Sequence, residues 1–114
     1  MEKLRVAVIG TGLMGKSHVR VYSEMDNIDL VGVCEINKEV GYNVARKYHT
    51  NYYLNYAELI SKQKPDAVSI CAPTKFHAKT ASNFIKKNIH VLVEKPIASS
   101  INEAKKMIEL ASEN

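Results

Sequence analysis

Nowhere does the chain hold an uncharged apolar run long enough to cross a bilayer. Its apolar runs, such as residues 6–9 and 91–93, fall far short of the roughly 20 residues a spanning helix needs. No secretory leader is expected either: Glu2, Lys3 and Arg5 stand beside a short strand-like run, not a long apolar stretch. Low-complexity tracts and internal repeats are absent, and 46% hydrophobic with 25% charged residues is an ordinary globular composition. A soluble, cytoplasmic protein is expected. With 114 residues the chain can build one core, and it is short for two domains.

Cysteine is scarce. Cys34 and Cys71, the only two, each end a β-like run. In the usual strand order for such a pattern one strand separates them, so they stand about two spacings of ~4.8 Å apart, beyond the disulfide reach of about 7 Å. Free, buried thiols are expected. No Cys/His zinc pattern occurs, and no two of the four histidines share a helix-face spacing with a carboxylate ligand set, so no metal site is expected. The net charge of +4 comes from lysines interspersed with carboxylates. The densest pairs, Lys86-Lys87 and Lys105-Lys106, fall on the wet faces of amphipathic stretches. Neither a nucleic-acid partner nor a membrane surface is implied.

Short β-branched runs alternate with helical patterns along the chain. Leu4 to Ile9 reads as a buried strand; from Leu13 a helix follows, with Met14, Val21, Tyr22 and Met25 on or near one face. Asp29 to Cys34 is a second strand, and Asn37 caps a helix carrying Val40, Val44 and Tyr48. Residues 51–54 suggest a short third strand, and residues 56–61 a brief helix ended before Pro65. A fourth strand spans Ala67 to Cys71, and Phe76, Thr80, Phe84 and Ile85 then form a helical stripe closed by Asn88. His90 to Val93 is a fifth strand; Ser99 or Ser100 caps a last helix with Ile101, Ala104, Ile108 and Ala111 inward. The fold class is therefore α/β: a doubly wound parallel sheet of about five strands with helices on both faces. In such sheets ligands bind outside the carboxyl ends of the strands, where the strand order reverses.

Several chemistry-bearing residues fall at those ends. Gly10-Thr11-Gly12-Leu13-Met14-Gly15 follows a strand and opens a helix, and Glu35 stands twenty residues past Gly15 at the tip of the next strand. Alone the glycine spacing is weak; in this context it implies a dinucleotide site. Gly10 permits the turn, Gly12 lets a pyrophosphate approach the backbone, and Gly15 lets the helix pack closely. The helix N-terminus offers unpaired N–H groups to phosphate. Glu35 is placed to accept from both hydroxyls of the adenosine ribose and would repel a 2′-phosphate, so NAD is favoured; Lys38 leaves NADP open.

Two further segments, Cys71-Ala72-Pro73-Thr74-Lys75-Phe76-His77 and His90-Val91-Leu92-Val93-Glu94-Lys95-Pro96, complete a pattern. Together with Gly10 to His18 they resemble the glucose-fructose oxidoreductase/inositol dehydrogenase family, Gfo/Idh/MocA, across essentially the whole chain. The resemblance implies that residues 1–114 are an NAD(P)-binding Rossmann domain. It implies that Lys95 is catalytic, polarising the substrate hydroxyl or carbonyl beside the nicotinamide; an ammonium there stabilises developing oxyanion character. Ala72, Pro73 and Thr74 would line the cofactor's nicotinamide half. Glu94 would bind the nicotinamide-side ribose or orient Lys95, and Pro96 would fix the angle of Lys95, with a cis bond conceivable. His77 lies near the same rim and is read as a packing or capping group at a helix start more than as an acid or base. His18 is read as structural.

Members resembling this chain continue through a sixth strand into a substrate domain that brings a histidine, commonly with an aspartate, to complete proton transfer. That domain is absent from these residues, so a poor dehydrogenase is expected of the chain alone. The fifth strand would then be an exposed edge inviting a homo-oligomer. In the longer parent, the implied reaction is hydride transfer between the nicotinamide cofactor and a secondary alcohol of a sugar, cyclitol or nucleotide sugar. The stretch from Gly15 to Tyr22 resembles members that oxidise nucleotide sugars. A non-catalytic dinucleotide-sensing module is the alternative.

Overall fold

The computed structural model describes residues 3–95, 98 and 100–113. Strands β1 (Leu4–Ile9), β2 (Ile28–Cys34), β3 (Tyr52–Tyr53), β4 (Ala67–Ile70) and β5 (His90–Val93) form one five-stranded sheet in the order β3-β2-β1-β4-β5. Every neighbouring pair is parallel. The helices are α1 (Leu13–Glu24), α2 (Lys38–Lys47), α3 (Tyr56–Gln63), α4 (His77–Lys86) and α5 (Ile101–Glu113), with a 3-10 turn over Thr74–Phe76.

Alternation along the strands divides the core between two faces. Val8 packs with Val19 of α1, Val33 and Val44 of α2 on one face. Ala7 and Ile9 pack on the other with Leu59 of α3, Phe84 of α4 and Met107 of α5. Capping residues set where the helices begin. Asn37 Oδ1 accepts from the Val40 N–H at 3.2 Å, Asn55 Oδ1 from Glu58 at 2.9 Å, and Ser100 Oγ from Glu103 at 3.2 Å. Asn88, at φ +62°, turns the chain out of α4. The Ile89 N–H then donates to the Phe84 carbonyl and the Asn88 N–H to that of Ile85, a Schellman closure that aims the chain into β5.

From β1 the chain winds outward through α1, β2 and α2 to β3; α3 then carries it back across the sheet to β4, on the far side of β1. The order thus reverses between β1 and β4, the place where such sheets receive ligands beyond the strands' carboxyl ends.

Two helix faces differ from the sequence expectation. On α1 only Tyr22 of the expected set turns toward the sheet, while Met14, Val21 and Met25 are 52%, 44% and 41% exposed. Gly15 decides this, because it must lie against the β1 loop, and that contact rotates His18, Val19 and Tyr22 inward. On α5 the expected Ile101 and Ile108 are exposed and the buried residue is Met107, with Leu110 beside it. The helix carries two apolar stripes, and α4 takes the one the spacing did not single out. Phe76 falls in the 3-10 turn ahead of α4 and is exposed. Pro96 and Ser99 lie outside the described residues.

Candidate functional site

The loops after β1, β2, β4 and β5 meet on one rim. Gly10 has φ +93°, and a Cβ there would lie 2.7 Å from the Ala72 nitrogen, so the β1 and β4 loops touch through backbone alone. A Cβ on Gly15 would strike the Gly10 carbonyl, which seats the start of α1 against the turn. Gly12 differs from both: a Cβ there would meet no atom within 4 Å. Gly12 is also the N-cap of α1, with no side-chain cap bond and no acidic residue in the first turn. The first N–H groups of the helix therefore have no capping side chain and carry the positive end of the helix dipole. Leu13 and Met14, 85% and 52% exposed, flank this opening.

Glu35 closes one side of the turn. Its Oε1 accepts from the Thr11 N–H at 2.8 Å and the Thr11 hydroxyl at 2.9 Å; its Oε2 accepts from the Asn37 N–H at 3.0 Å. Thr11 is fully buried. The Tyr52 hydroxyl donates to the Glu35 carbonyl at 2.6 Å, fixing the acid's backbone as well. Burial pushes the Glu35 carboxyl up, but the N–H of Asn37, the N–H and hydroxyl of Thr11 and the N–H of Ile36 outweigh it and hold it below the usual glutamate value.

On the opposite side Ala72 and Thr74 are half-buried and Pro73 is exposed. His77 is buried beneath them, its Nε2 2.6 Å from the Ala72 carbonyl. A carbonyl only accepts, so that nitrogen carries the proton and ties the loop to α4. Glu94 and the exposed Lys95 follow β5. The Glu94 carboxylate meets His18 Nε2 at 2.8 Å, a bond that, above all, holds its carboxyl below the usual range against partial desolvation.

The structure thus brings the glycine turn, Glu35, Ala72 to Thr74, Glu94 and Lys95 onto one rim and sets His77 under it. The grip of Glu35 on Thr11 and the His18–Glu94 bond were not anticipated. One signal for the second was present, since residues 15, 18 and 22 share a helix face and Gly15 had already been assigned to close packing. Cys34 and Cys71 are free, and burial first, then the neighbouring Glu35 or Glu94 charge, pushes each thiol up to about 12. Among the described residues no helix is long and apolar enough to cross a membrane, and no cluster of three His, Cys, Asp or Glu could hold a metal ion.

Residues 4–114 match the Gfo/Idh/MocA family, described as the oxidoreductase family, NAD-binding Rossmann fold. The chain belongs to that family. Among Gfo/Idh/MocA relatives, the D-glucoside 3-dehydrogenase of Escherichia coli is 32% identical over 95% of this chain and 31% of its own length. An α-N-acetylgalactosaminidase from Shewanella oneidensis is 30% identical over 97% of this chain and 26% of its own. GenD2 of gentamicin A biosynthesis, solved in complex with NAD, superposes with a TM-score of 0.95 at 29% identity, covering 99% of this chain and 32% of that one. The chain therefore spans about a third of the length of such relatives, or less.

Proposed function

We propose that this chain binds NAD along the rim and serves as the dinucleotide half of a dehydrogenase acting on a secondary alcohol of a sugar, cyclitol or nucleotide sugar. The observation that carries this is the open N-terminus of α1: Gly12 leaves a clear approach, no side chain caps the helix, and no carboxylate occupies its first turn. Such an end suits a pyrophosphate. Gly10, Thr11, Gly12, Leu13, Met14 and Gly15 would hold it. Glu35, kept ionised by its donors, would accept from the adenosine ribose and disfavour a 2′-phosphate. Ala72, Pro73 and Thr74 would line the nicotinamide half with Glu94, while His77 acts at one remove by holding the Ala72 carbonyl.

When bound, the dinucleotide supplies the hydride donor or acceptor. Lys95 Nζ would hold the proton at the substrate oxygen, a role that rests on the Glu-Lys-Pro resemblance. The remaining wall of the cleft, and with it the substrate, belongs to a second domain of the longer parent. The relatives include a glycosidase, so the parent's net reaction is set by whatever completes the cleft, while this domain supplies the dinucleotide. The two free thiols support a reducing, cytoplasmic setting. Among the described residues β5 pairs with β4 alone and shows Leu92 to solvent at 55%, which supports pairing of that edge with a second copy or a further strand.

Fluorescence titration with NADH and NADPH tests the cofactor reading. NADH should bind more tightly, and tighter NADPH binding would overturn the argument from Glu35. In the enzyme carrying this domain, Lys95→Met should abolish turnover and spare NADH binding; unchanged turnover would overturn the role given to Lys95.

A further inference from the structure

One contact joins the dinucleotide helix to the lysine loop. His18 lies on the inward face of α1, and its Nε2 sits 2.8 Å from Glu94 Oε1, just beyond β5. A carboxylate only accepts, so Nε2 donates. The two side chains are 16% and 26% exposed, which shields this bond more than a surface pair. One turn along α1, the Tyr22 hydroxyl meets the buried Ser69 hydroxyl of β4 at 2.5 Å, and the His18 and Tyr22 rings stand edge to face at 6.3 Å. The Glu94 N–H is fixed to the Ile70 carbonyl at 3.1 Å, so the residue before Lys95 is anchored to β4. The rotation of α1, the end of β4 and the backbone at Lys95 are therefore held as one unit.

We infer that His18 is a positioning residue: by clasping Glu94 it sets the Lys95 loop relative to the phosphate-receiving end of α1, and so prepares the nicotinamide end of the cleft. This rests on the dinucleotide reading above and adds a coupling between its two ends. In this role His18 acts through Glu94.

The test titrates the chain with NADH and with ADP-ribose, which keeps the adenosine and pyrophosphate and lacks the nicotinamide. His18→Leu should weaken NADH about tenfold and leave ADP-ribose within about twofold of its original affinity, as befits loss of one charge-assisted bond. His18→Gln, whose amide can still donate to Glu94, should restore most of the NADH affinity. Glu94→Ala removes the acceptor of the same bond from the loop side. It should reproduce the selective loss, and the double variant should be no weaker than the worse single one. Equal weakening of both ligands, no weakening of NADH, or a wild-type chain that binds both equally overturns the inference. Failure of the wild-type chain to bind ADP-ribose would overturn the dinucleotide reading, and this inference with it.

Discussion

The three glycines of the turn should separate cleanly into one that serves binding and two that serve folding. Gly12 has φ −70° and ψ −162°, and a Cβ there meets no protein atom within 4 Å. Gly12→Ala should therefore change stability by less than about 1 kcal/mol, the reduced entropy of the unfolded chain roughly offsetting a poorer N-cap. Its methyl group would nevertheless occupy the approach to the α1 N–H groups. Losing even one charge-assisted bond to pyrophosphate costs about 1.5–3 kcal/mol, which is about 10- to 150-fold in NADH affinity. Gly15→Ala is the reverse case, because its Cβ would overlap the Gly10 carbonyl. Overpacking of that kind costs about 1–3 kcal/mol or more, a fall in Tm of about 4–8 °C per kcal/mol for a domain near this size. Gly10→Ala adds a strained φ of +93° to a clash with the Ala72 backbone and should destabilise comparably. Thermal melts paired with NADH titrations decide the matter. If Gly12→Ala lowers Tm as far as Gly15→Ala, or leaves NADH affinity within about twofold, the reasoning fails.

The carboxylates and thiols give further expectations. Glu35 has its folded pKa below the ordinary glutamate value, so its contribution to stability is fully present above the unfolded value of about 4.3 and is lost as pH falls through the lower folded value. Glu35→Gln should flatten that acid limb of the unfolding curve; an unchanged limb would mean that its donors do not favour the charged form. With their thiols pushed up to about 12, Cys34 and Cys71 should react with a disulfide reagent at pH 8 far more slowly in the native chain than in urea. Prompt native labelling of both would contradict their burial.

The strand and helix succession was legible because it depends on local features: β-branched runs, Asn37 and Ser100 as caps, Asn88 as a turn. The rim was legible because a parallel sheet delivers every post-strand loop to the same end, so Glu35, Ala72 and Glu94 converge once the order is known. Helix rotation was not. Counting apolar residues on α1 favours Met14, Val21, Tyr22 and Met25, yet of these only Tyr22 turns inward, beside His18, and both are tolerated there because Ser69 and Glu94 satisfy them. That pairing joins residues 76 and 47 positions apart, and no local pattern records it. On α5 two apolar stripes compete, and only the position of α4 chooses between them. Pattern alone also placed Glu35 opposite a ribose without revealing that Thr11 already claims one of its oxygens.

That claim on Glu35 bears on redesign. The carboxylate presents about four acceptor sites, of which Thr11 and Asn37 occupy three through bonds of 2.8, 2.9 and 3.0 Å. The side chain proposed to select at the ribose is thus also the one that braces the phosphate turn. An engineer who replaces Glu35 to admit a 2′-phosphate also strips a buried threonine of its acceptor, and a successful switch needs a second substitution at Thr11 to repair the turn.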